Sequence, residues 1–411
     1  MHDEAIDREV ASPRLVRIAA LIFLQMLPAT MLTPAIRPLF HLYYENNEHA
    51  MHAFMAINML GAAIAVPIVG AWAERNRRPQ SLIAAMIALD ALLLLVMTFP
   101  MSTSLLLSIR LCEGAAHVSA TALLLAQAAA LGRARKEGRV MGVAGAALMF
   151  AVAFGSGIGG QILVIDVRAP FLGGALLQLI TLSVLLAVPM PSFATAPRER
   201  IRPFAFLRDN RALQVPVAAA FVGRFSVGCI VVTFSLFAHR HHGASDRAIG
   251  MLFMLLTLPF ALSMYPLSRL SDRISRATLM AVGGGLYAVS LLALAVVPFS
   301  VLPLIMVVAG ASSAALFAPS LCYAACLSGK RKEISMSLIN AAGCAGMLLG
   351  PACAGITSAL VGRVDPVFGY RAVFVLAACS VLTWIVLSGR WLARRRGAEV
   401  NPSGDFSSNA I

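Results

Sequence analysis

Twelve apolar runs, most of them about as long as a hydrocarbon core is thick, leave this chain one solvent in which to fold, a lipid bilayer. They read as residues 16–39, 51–73, 79–98, 102–131, 140–165, 171–190, 213–238, 248–269, 277–298, 300–328, 334–361 and 372–392. At a rise of about 1.5 Å per residue, roughly 20 apolar positions cover a core of roughly 30 Å. Helices are the element expected, because the runs lack period-two alternation and lipid offers no water to open strand edges. Composition agrees. Of 411 residues, 59% are hydrophobic and 13% charged, too few polar groups to cover a globule in water.

The runs fall into two halves. Gly70 to Arg78 (GAWAERNRR) and Ser268 to Arg276 (SRLSDRISR) match at an offset of 198, setting Glu74 against Asp272, Arg75 against Arg273 and Arg78 against Arg276. Arg135-Lys136-Glu137 returns as Arg331-Lys332-Glu333, and the glycines from Gly155 to Gly160 return from Gly350-Pro351 to Gly355. Between Pro189 and Arg211 the chain loses its periodicity and gathers arginines, which reads as a linker. The expected organisation is an N-terminal tail (1–15), a six-helix bundle (16–190), a linker (191–212), a second six-helix bundle (213–392) and a C-terminal tail (393–411). The fold class is all-α, with twelve transmembrane helices in two pseudo-symmetric bundles.

A net charge of +14 invites a nucleic-acid reading until the basic residues are placed. Arg37, Arg168, Arg240, Arg247, Arg363 and Arg371 fall on one side of the membrane, Arg110 and Arg224 lie within runs, and the rest share the side of the termini. The positive-inside rule makes that side the cytoplasm, so the basic balance reports topology and no nucleic-acid partner. The first run follows Arg8, Arg14 and Arg17 without a small-residue cleavage site and is expected to stay as a helix. All seven cysteines lie within runs and read as small interior residues. His239, His241 and His242 read as a hydrated loop after the seventh helix rather than a metal site. Phosphate loops, nucleophile elbows and zinc-protease helices are missing, so neither enzyme nor cofactor nor metal is indicated.

These residues resemble the major facilitator superfamily over essentially the whole chain. In that family the loop between the second and third helices carries a G-x-x-x-[DE]-R motif followed by basic residues, and this chain has Gly70, Glu74, Arg75, Arg77 and Arg78 there. The resemblance implies a conformational switch formed by Gly70, Glu74, Arg75 and Arg78 with Asp272, Arg273 and Arg276. Gly70 would let the second helix approach a neighbour, while the acid binds arginine in one transport state only. The alternative is a solvated basic loop.

The fourth run carries Arg110, Glu113, Gly114 and His117, similar to the R-x-x-x-G motif of proton-coupled members. Spacing of i, i+3 and i+7 puts the three ionisable groups on one helix face. A charge in hydrocarbon costs about 3 kcal/mol even on insertion scales, so this face is expected to turn to the central cavity. The matching stretch of the tenth run, Met306 to Gly310, is apolar, and fold symmetry alone would not require the charges. Glu113 is the first candidate for proton coupling, with Arg110, His117 and Asp90 beside it; alternatively Arg110 and Glu113 merely pair with each other.

In the fifth run Gly155, Gly157, Gly159 and Gly160 resemble the G-P-x-x-G-G signature of the superfamily's drug and metabolite antiporters, with Ser156 where proline is expected. Gly350 and Gly355 are their counterparts. Close packing, or a hinge or seal between halves, would use such glycines. Arg224 is the one embedded charge of the second half; facing the cavity it would favour an anionic substrate, with pairing to Asp90 or snorkelling as the alternatives. Gln25, Thr30, Phe221, Phe225, Ser312, Ser313 and Phe317 are further candidate substrate contacts, with Asn58 and Asn340 as possible cavity-lining groups.

The expected function is a proton-coupled secondary transporter, acting as a monomer in a bacterial inner membrane and exporting a small organic molecule. Its partners are substrate, protons and lipid. The rivals are a proton-coupled importer of an organic anion or nutrient and a non-transporting receptor or maturation partner.

Overall fold

The structure, a computed structural model, describes residues 13–76, 79–131, 137–187, 203–271, 273–327 and 332–399. It places one helix on each apolar run: α1 (Pro13–Met31), α2 (Glu48–Asn76), α3 (Pro79–Val96), α4 (Thr103–Leu131), α5 (Glu137–Ile162), α6 (Ala169–Leu186), α7 (Gln214–His242), α8 (Asp246–Leu270), α9 (Arg276–Leu294), α10 (Leu302–Leu327), α11 (Lys332–Val361) and α12 (Pro366–Glu399). Eleven have the length and hydropathy to cross a membrane, and α3 is a slightly shorter apolar helix.

Two expectations need correction. The first run, expected to be one helix over 16–39, breaks after Met31, and a separate short helix, Ile36–Tyr43, follows. Pro34 has no N–H to continue the ladder to the Thr30 carbonyl, which the Thr33 N–H takes instead at 3.1 Å. The residues His239, Arg240, His241 and His242 are not a loop but the last turn of α7. Cationic groups suit a helix C-terminus, the His241 ring stacks 5.0 Å from that of Phe237, and Gly243 at φ 64° then closes the helix.

Within each half the pairing is the same. The first helix packs on the fifth, the second on the fourth and the third on the sixth: α1 with α5, α2 with α4 and α3 with α6, then α7 with α11, α8 with α10 and α9 with α12. Glycines make the equivalent approaches. A Cβ on Gly114 of α4 would strike the Asn58 carbonyl of α2, and one on Gly310 of α10 would strike the Leu256 carbonyl of α8. With no difference in hydrophobicity between helix and lipid tails to drive association, such backbone contacts and van der Waals packing hold the bundles.

The outer faces of α3, α6 and α9 carry exposed apolar side chains at helical spacing: Leu89, Leu92 and Leu95; Leu172, Leu176 and Leu179; Val282, Leu286 and Val289. Polar groups instead sit inside, with Asp90, Gln25, Gln178 and Thr233 fully buried. This inverted arrangement is what a bilayer selects.

Candidate functional site

In the first half, close packing of α2 on α4 sets up a buried ionic cluster. Gly61 and Gly114 bring the two backbones into contact, since a Cβ on Gly61 would collide with the Leu111 carbonyl. Asn58 therefore reaches α4 and donates from Nδ2 to Glu113 Oε2 at 2.7 Å. Arg110 donates to the same oxygen at 2.6 Å, and its guanidinium lies 4.6 Å from the centre of the Phe54 ring.

One turn further along α4, His117 Nδ1 lies 2.8 Å from Asp90 Oδ2 on α3. Two side-chain amides converge on that oxygen: Gln178 of α6 donates at 2.6 Å and Gln25 of α1 at 3.3 Å. Four helices thus meet at one carboxylate. Asp90 Oδ1, His117 Nε2, Gln25 Oε1 and Gln178 Oε1 have no protein partner, so the cluster keeps spare hydrogen-bonding capacity.

Asp90, Glu113 and His117 each put a ligand atom within 4.8 Å of the others, the closest approach to a metal donor set among the described residues. The Arg110 guanidinium already holds Glu113 as its cation. Counted with both carboxylates ionised, Arg110 charged and the imidazole neutral, the cluster carries one net negative charge; a single proton brings it to neutrality.

The cluster does not open onto a cavity in the way expected from the helix face. Arg110, Glu113 and His117 are 3%, 1% and 3% exposed, sealed between α1, α2, α3, α4 and α6. Arg110 and Glu113 do pair, but as part of the larger network. Gln25, expected as a substrate contact, belongs to the Asp90 site; Thr30 instead lies between α1 and α5, its hydroxyl 3.4 Å from the Leu27 and Ala151 carbonyls. Ser312 and Ser313 turn their hydroxyls back on the Val308 and Gly310 carbonyls of their own helix. Gln178, absent from the sequence-based candidates, is the clearest omission; a lone glutamine in an apolar helix was the available signal.

In the second half, Arg224 of α7 does not pair with Asp90. Its guanidinium lies 5.6 Å over the Phe317 ring of α10, and no ion pair to it exists among the described residues. Phe221 and Phe225 stack 5.9 Å apart on the same helix.

The bundles meet along α5 with α8 and α2 with α11. Close approaches gather at the end remote from the termini: a Cβ on Gly160 would lie 2.9 Å from Gly250 Cα, one on Gly157 2.7 Å from Met254 Sδ and one on Gly355 3.1 Å from His52 Cβ. Gly155 and Gly159 face α1, and Gly350 faces α7. Ion pairs close the same end. Arg37 pairs with Asp246 at 2.5 Å, while Arg240 binds Glu48 and the Tyr370 hydroxyl, which itself donates to Glu48 at 2.9 Å. Beside them a cavity of about 190 Å³ runs between α2 and α11, lined by Glu48, His49, His52 and Ser358.

Toward the other end, Gly70, Gly142 and Gly145 would meet nothing within 4 Å among the described residues if given a Cβ. The close approach expected at Gly70 is thus not made in this arrangement. Glu74 and Arg75 lie in the last turn of α2, Arg273 is exposed in the turn before α9 and Arg276 begins α9; Arg78 and Asp272 lie outside the described residues.

The sequence profile of the Major Facilitator Superfamily matches residues 18–223 and, a second time, residues 217–409. No curated protein matches the chain in sequence. Among solved structures, a bacterial homologue of the human lysosomal transporter Spinster, in its inward-facing and occupied conformation, superposes with a TM-score of 0.77 at 14% identity, covering 92% of this chain and 98% of that one. The nucleoside transporter NupG superposes with a TM-score of 0.74 at 11% identity, over 92% and 98% of the two chains. At these identities the likeness is one of fold.

Proposed function

The chain belongs to the Major Facilitator Superfamily, and from that premise we propose that it is a proton-coupled secondary transporter exporting a small, anionic organic molecule from a bacterial cytoplasm. The observation that carries the reading is the sealed cluster of Asp90, His117, Glu113 and Arg110, two carboxyl groups and an imidazole gathered around one guanidinium. A buried net charge is costly, so the occluded cluster holds a proton that it releases when water reaches it. Glu113 and the Asp90 and His117 pair are the carriers, and Arg110 sets how readily Glu113 gives its proton up.

Alternating access supplies the water. With the basic loops and both termini in the cytoplasm, the closed end faces outward and the spread glycines of α2 and α5 mark the inward opening. Gly70, Glu74, Arg75 and Arg78, with Asp272, Arg273 and Arg276, would engage when that opening closes. Arg224 offers the substrate a positive charge from the opposite bundle. The protein acts as a monomer in the inner membrane.

Import is the second reading, favoured by Ser156 in place of the antiporter proline; its hydroxyl donates to the Ala153 carbonyl within α5. Inside-out vesicles with an imposed pH gradient and a panel of radiolabelled organic anions separate the readings. Antiport drives uptake when the lumen is acidic, symport needs the opposite gradient, and a receptor moves nothing in either.

A further inference from the structure

Arg224 differs from the other arginines that the structure places between or within the bundles. Arg37, Arg110 and Arg240 each face a carboxylate. Arg224 faces rings. Its guanidinium lies over Phe317, whose ring centre is 6.0 Å from that of Phe260 on α8, and Phe221 sits one turn earlier on α7. Helix α11 makes room for the arginine with glycine: a Cβ on Gly343 or Gly346 would lie 3.3 or 3.2 Å from its side chain. Helices α7, α10 and α11 therefore meet at one cation, α8 adds Phe260 beside Phe317, and Phe221, Arg224, Phe260 and Phe317 are all half-buried.

The geometry points to an aromatic carboxylate as the molecule this site receives, an inference that rests on the transporter reading above. A guanidinium within a bundle is costly without a counter-charge, and a ring face offsets only part of that cost. A carboxylate completes it with two parallel N–H to O bonds, which the planar fork of arginine is shaped to make. The ring attached to that carboxylate then lies among Phe221, Phe260 and Phe317, where offset or edge contacts favour a π-system over a saturated ring of similar size. An ammonium in place of the carboxylate would meet the arginine with like charge.

Calorimetric titration of the full chain in nanodiscs with benzoate, cyclohexanecarboxylate and benzylamine tests this. Benzoate is expected to bind saturably, cyclohexanecarboxylate about fivefold more weakly, and benzylamine not at all. Arg224→Gln should weaken benzoate about thirtyfold, with Arg224→Lys intermediate. Phe317→Leu should bring the two carboxylates to parity. Melting temperatures of the variants establish that they fold. Equal binding of benzoate and cyclohexanecarboxylate to the unaltered protein, no benzoate binding, or wild-type benzoate affinity in Arg224→Gln overturns the inference. Proton-coupled flux of a non-aromatic anion in the same preparation would leave the carrier reading standing while the aromatic preference falls; benzoate binding without any proton-coupled flux would do the reverse.

Discussion

Asp90 Oδ2 and His117 Nδ1 lie 2.8 Å apart on different helices, and both side chains are almost wholly withdrawn from solvent. An acid and a base joined in this way stabilise each other only as a pair. Replacing either alone leaves an uncompensated polar group in a low-dielectric interior, at a cost of about 3–5 kcal/mol. Asp90→Leu or His117→Leu should therefore destabilise strongly, while the double variant should cost less than the sum by at least ~1 kcal/mol. Chemical unfolding in micelles across the four-member cycle measures the difference.

Glu113→Gln should reduce gradient-driven flux to background while the protein still expresses and melts normally. The amide oxygen can go on accepting from Asn58 and Arg110, so the scaffold persists while the exchangeable proton is lost. Flux in vesicles, set beside melting temperature, separates the two effects.

The ion pair between Arg240 and Glu48 joins the bundles at the closed end. Arg240→Glu sets like charges against each other there and should shift the population toward separation of α2 from α11. A cysteine introduced as Ser358→Cys, in the wall of the adjacent cavity, should then react faster with a membrane-impermeant maleimide. The swapped pair, Glu48→Arg with Arg240→Glu, should bring the labelling rate back toward that of the parent.

Glycines divide by what surrounds them. Gly114→Val should prevent proper assembly of α2 with α4, because its Cβ would meet the Asn58 backbone. Gly142→Ala and Gly145→Ala meet open space, and should be neutral or stabilise by up to about 1 kcal/mol through helix propensity. Detergent melts of the three variants provide the comparison.

The helices and their division into halves could be read from the chain because both are periodic properties: apolar runs of membrane length, and motifs repeated at a fixed offset. The face shared by Arg110, Glu113 and His117 was equally legible, since spacing on one helix determines it. What spacing could not give was the company they keep. Gln178 and Asp90 are 88 residues apart in sequence, Arg37 and Asp246 are 209, and such pairs become neighbours only through the order in which the helices pack. Hydropathy likewise could not say which polar groups line an opening and which are sealed: Gln25 binds Asp90, and Thr30 lies half-buried between α1 and α5. Gly343 and Gly346 carried a signal that was overlooked, two small residues three apart on the helix that receives Arg224.

Glu48 and Asp246 begin the second helix of their respective halves, 198 positions apart, the same spacing that relates the repeated loop motifs. Asp246 binds Arg37, just beyond the first helix of the other half, and Glu48 binds Arg240, in the last turn of the first helix of the other half. The contact is therefore close to isologous, as at the dyad of a homodimer. An ancestral half associating with its own copy would have owned both fasteners at once, and fusion of the two copies had only to preserve them.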